Sequence, residues 1–75
     1  MADLNIDEVQ AKDEIKICDV ELKMLKSAGM ETSEIENILK IARSFFILGL
    51  FDKSFQFASR ANRMIAETRE GKSET

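Results

Sequence analysis

Seventy-five residues with a net charge of −3 and a sequence pI near 4.9 leave room for one small domain and no second core. One cysteine and no histidine exclude an internal disulfide and leave no ligand set for a zinc site, so two common staples of small domains are absent. No apolar run approaches the roughly 18 residues that span a bilayer, and the acidic opening Met1-Ala2-Asp3-Leu4-Asn5 is no secretory signal; the expectation is a cytoplasmic protein without a membrane segment.

The first helix is expected over about residues 6–28. Asn5 and Asp7 are both good N-caps, with Glu8 and Gln10 placed three residues on to complete a capping box. Glu8/Lys12 and Asp19/Lys23 are i,i+4 pairs in the favourable order. Gly29 can take the left-handed C′ conformation, which puts Met30 at C″ against Leu25. The core stripe of this helix is Ala11, Ile15, Cys18, Leu22 and Leu25. Cys18 belongs to that stripe as a small hydrophobe, since Asp19 beside it and the lack of a histidine give no thiolate activation.

A second apolar stripe runs through Val9, Ile17, Val20 and Met24, interrupted by Asp13. On an ideal helix it lies very roughly 160 to 180° from the first. Either helix twist and irregular packing bury part of it, or it is a surface for a partner or a second copy, as contiguous exposed apolar patches usually are.

The second helix is expected over about residues 34–49. Ser33-Glu34-Ile35-Glu36 reads as a capping box, and Glu36/Lys40 adds a charge pair. Ile35, Ile38, Leu39, Ala42, Phe45, Phe46 and Gly49 share one face, which Ile41 and Leu48 widen to about half the circumference. So wide an arc makes this the central helix, packed against two neighbours.

The third helix is expected over about residues 52–69, capped by Asp52 after the tight Gly49-Leu50-Phe51 link. Ser54, Phe57, Ala58, Ala61, Met64 and Ile65 share a face whose small middle admits a close neighbour. Lys53, Gln56, Arg60 and Arg63 take the opposite side. All five phenylalanines (Phe45, Phe46, Phe51, Phe55, Phe57) cluster around the second turn, mostly as core. Residues 71–75 read as a disordered tail behind a single domain over residues 1–70. The fold class is all-α, an up-down-up three-helix bundle made of a hairpin and an N-terminal helix.

Ile41-Ala42, Phe45, Gly49, Phe51, Ser54, Ala58 and Ala61 resemble one tetratricopeptide-type hairpin over residues 41–61, with no second copy of the pattern in the chain. Ala42, Phe45, Gly49, Phe51, Ser54 and Phe55 are also similar to a family of short archaeal helical proteins of unknown function. Both resemblances imply a packed helical hairpin, and neither implies an activity.

Catalytic patterns are missing. Paired acids such as Asp13/Glu14 and Glu34/Glu36 interleave with lysines as on a solvated face, and there is no phosphate loop or Ser-His-Asp set. No enzyme, cofactor or metal is expected. Charge is uneven: residues 1–37 hold ten acids and four lysines, whereas residues 38–75 hold four acids and seven bases, with all four arginines. Halves of one bundle facing each other account for this, and a basic surface for an acidic partner is the alternative. Arg60 and Arg63 would carry that role toward RNA or another acidic partner, against an acidic overall balance and Glu67 in the same stripe. The leading expectation is a non-enzymatic module for protein–protein interaction or self-association through Ile17, Val20 and Met24.

Overall fold

The computed structural model describes residues 6–71. Three helices make up the fold: α1 (Glu8–Ser27), α2 (Ser33–Ile47) and α3 (Phe51–Glu70). The tail assigned to residues 71–75 lies outside the described residues except for Gly71, as does Asn5, the other candidate cap of α1.

Helix ends follow their local chemistry. Asp7 caps α1 in a full capping box: Gln10 N–H donates to Asp7 Oδ1 at 3.0 Å, and Asp7 N–H donates to Gln10 Oε1 at 3.2 Å. At the other end Gly29 sits at φ +80°, with Met30 N–H on the Leu25 carbonyl and Gly29 N–H on that of Lys26. This is the Schellman arrangement the sequence implied. Gly49, at φ +81°, repeats it for α2, with Leu50 N–H on the Phe45 carbonyl and Gly49 N–H on that of Phe46.

Two expected caps are corrected. The N-cap of α2 is Thr32, and the Ser33/Glu36 box does not form. Ser33 turns back to Glu31 instead, its N–H donating to Glu31 Oε2 at 3.0 Å, while Glu36 accepts the Thr32 hydroxyl at 2.7 Å. Both carboxyls are held below the ordinary carboxylate range, Glu31 by hydrogen bonds from Ser33 and Glu36 by those from Thr32 and Lys26. Nor does Asp52 cap α3, which begins one residue earlier behind Leu50. Asp52 Oδ1 accepts from the Ile6 N–H at 3.2 Å and so ties the entry of α1 to the start of α3.

Cross-helix contacts give the topology. Asp19 meets Arg43 and Lys26 meets Glu36, so α1 and α2 run antiparallel. Phe46 meets Phe51 and Ala42 meets Ser54, so α2 and α3 run antiparallel as well. Ile6 meets Asp52, Glu14 meets Asn62 and Glu21 meets Arg69, so α1 and α3 are parallel, completing an up-down-up bundle.

The central helix is α3, a correction to the reading that put α2 there. Both α1 and α2 pack more extensively on α3 than on each other. The reason is size: Ser54, Ala58 and Ala61 are fully buried and let two backbones come close. The Ser54 hydroxyl donates to the Ala42 carbonyl at 2.8 Å across this contact. The main core cluster joins Cys18, Leu22 and Leu25 of α1, Ile35 and Leu39 of α2, and Ala61 and Ile65 of α3. Ile41 and Leu48, assigned to the widened face of α2, are exposed instead. With only α1 and α3 to meet, α2 has no neighbour for that edge. The phenylalanines are likewise half-buried rather than core, with Phe45 stacked on Phe57 at 5.5 Å and Phe46 tilted against Phe51 at 5.3 Å.

Candidate protein-interaction surface

Because α2 and α3 both lie against the inner face of α1, nothing among the described residues covers its outer one. Ile17, Val20 and Met24 are 52%, 59% and 63% exposed, and Val9 is open to the same extent. The three are neighbours by helical spacing, since residues three and four apart lie side by side. Val9 is set apart from them by the exposed Asp13. The question left open by the periodicity is thereby settled: packing in the bundle does not bury this stripe.

Its two edges differ in sign. Lys16 and Lys23 flank the stripe on the side toward α2, and Glu14 and Glu21 flank it on the side toward α3. The acidic edge is held in place. Glu14 Oε2 accepts from the Asn62 side chain at 3.0 Å and from the Ser59 hydroxyl at 3.3 Å, and Glu21 pairs with Arg69. On the basic edge Lys23 reaches Asp19 at 3.9 Å, whereas Lys16 forms no ion pair among the described residues.

The inner face is chemically quiet. Cys18 is fully buried, and burial together with the charge of Asp19 pushes its thiol up to about 11, so it stays protonated at neutral pH. No cluster of three or more potential metal ligands occurs among the described residues.

The alternative residues, Arg60 and Arg63, lie together on the solvent side of α3. They line a shallow, open cleft of about 390 Å³ with Phe55, Phe57, Gln56 and Ser59. Neither arginine forms an ion pair among the described residues.

Sequence reasoning missed a second apolar region, the corner between α2 and α3. Ile47 is the most exposed large hydrophobe described, at 82%, and Leu48 and Leu50 are exposed beside it. The signal was available. Phe45-Phe46-Ile47-Leu48-Gly49-Leu50-Phe51 is an unbroken apolar run through a turn, where polar residues are the rule.

No helix among the described residues is long and apolar enough to cross a membrane. No protein-family model matches the chain, and neither a curated protein nor a solved structure does.

Proposed function

We propose that this chain is a non-enzymatic, cytoplasmic interaction module that docks through the outer face of α1. The observation that carries the reading is the exposure of Ile17, Val20 and Met24 side by side, opposite an inner face that is already filled. Thin core supply adds to it. A domain of this size buries only about 60% of the surface its unfolded chain exposes, so covering one more apolar face brings a real gain. The stripe alone is smaller than the roughly 800 Å² per partner of a standard stable interface. Association through it is therefore weak and draws on the charged edges as well.

Val20→Glu tests this directly. Val20 is exposed, so the variant should keep the helical circular-dichroism signal and melting temperature of the parent while losing concentration-dependent association in sedimentation experiments. Unchanged association in a folded variant removes the stripe from the interface.

A second reading rests on the cleft beside Arg60 and Arg63, two cations without an ion pair among the described residues, next to half-buried phenylalanines. It makes the same module a binder of RNA or another acidic partner. The expected result is binding of single-stranded RNA that weakens steeply with salt and is lost in Arg60→Ala/Arg63→Ala. No mobility shift at low salt eliminates it.

A further inference from the structure

From the sign of its two edges we infer that the outer stripe of α1 takes a second copy of this chain, with the two α1 helices side by side and parallel. The inference rests on the reading of this stripe as an interface and adds its occupant and direction.

Ile17, Val20 and Met24 follow the three-and-four spacing of a helix–helix seam. In that seam Glu14 and Glu21 fall on one flank, and Lys16 and Lys23 on the other. When two identical helices pair in parallel about a twofold axis, the left flank of each faces the right flank of its partner. Lys16 then lies across from Glu21 of the second copy, and the reciprocal pair forms by symmetry. Antiparallel pairing places like flanks together, lysines against lysines and glutamates against glutamates. Charge thus selects the direction, and a self-complementary pattern of this kind fits a second copy without any other partner.

Local structure favours the same arrangement. Lys16 has no ion partner within the described part of its own chain, and Glu21 is already fixed by Arg69 at the rim of the stripe. Asp13 is the element that parallel pairing must keep away from its own copy. It lies seven residues before Val20, roughly 10 Å along the axis, where helices crossing at roughly 20–50° have begun to separate. The contact is accordingly centred on Val20 and short.

Cysteine trapping on the full chain reads the direction. Met24→Cys and Ile17→Cys both replace exposed residues, and the buried Cys18 is shielded from the oxidant. In the parallel pair like positions face each other, so each variant links efficiently to itself under mild oxidation. Efficient linking only in a mixture of the two variants means antiparallel pairing, which overturns the inference and leaves the stripe as an interface. A dimer in sedimentation that neither variant traps places the contact elsewhere and overturns both readings. A strict monomer at high micromolar concentration overturns the second copy as occupant and leaves the stripe to a different protein. Charge supplies an independent arm: Lys16→Glu and Glu21→Lys should each weaken dimerisation about threefold or more. Combined in one chain, they should restore it, and failure of the double variant to recover, with its helical signal intact, also overturns the parallel assignment.

Discussion

On the inner face of α1, Ala11, Cys18, Leu22 and Leu25 close against α2 and α3; on its outer face, Val9, Ile17, Val20 and Met24 meet solvent. The two stripes are alike in composition and length, and what separates them is the number of neighbours. Three helices give each member one closed side. A helix carrying apolar residues on two sides therefore keeps one of them open until another chain arrives. The edges differ in the same sense. Toward α2 and α3, Asp19, Glu14, Glu21 and Lys26 are all engaged in cross-helix hydrogen bonds or ion pairs, whereas Lys16 on the outer rim forms no ion pair among the described residues.

The largest effect that separates the faces is on stability. Leu22→Ala removes a buried side chain from the main core cluster and should cost about 2–5 kcal/mol. A core this small supplies only about 3–5 kcal/mol in total, so the variant should lose about half or more of its stability. Val20→Ala, two residues away on the open face, should shift stability by no more than about 0.5 kcal/mol. Denaturant titrations followed by circular dichroism measure both. Similar losses at the two positions would mean that the outer face is packed in solution, and the contrast would fail.

How much of this was legible depended on how local the cause was. The capping box at Asp7 and the Schellman end at Gly29 are decided within six residues; the pattern offered Asp7 beside Asn5 for the first and specified the second. The small face of α3 was equally plain, because Ser54, Ala58 and Ala61 recur at helical spacing. Ser33 looked as good a cap as Asp7. The competing carboxylate of Glu31, two residues before it, took its N–H, and Thr32 became the boundary. Which helix is central was not readable from the breadth of an apolar arc. A wide arc on α2 measures how much it has to bury, whereas the small side chains of α3 decide how many neighbours can approach. That same error hid the exposure of Ile41 and Leu48, which were assigned neighbours that three helices do not supply. For the candidate surface, periodicity gave the stripe and its residues, and only the packed bundle showed which side stays open.

The smallest effect concerns the tie between the C-terminal end of α1 and the start of α2. Lys26 reaches Glu36 at 3.3 Å, and the Thr32 hydroxyl donates to the same carboxylate, so Glu36 is stabilised in its charged form in the folded chain. Its folded pKa lies below its unfolded value, which is the ordinary one for a glutamate. The stabilisation is therefore present in full above the unfolded value and is lost as pH falls through the lower folded one. The Glu36 side chain keeps about 40% of its surface in solvent, which keeps the contribution small. Melting curves of the parent and Glu36→Gln should differ at neutral pH, with the parent the more stable, and converge on acidification. A constant gap across that range would show that the charge of Glu36 does nothing there.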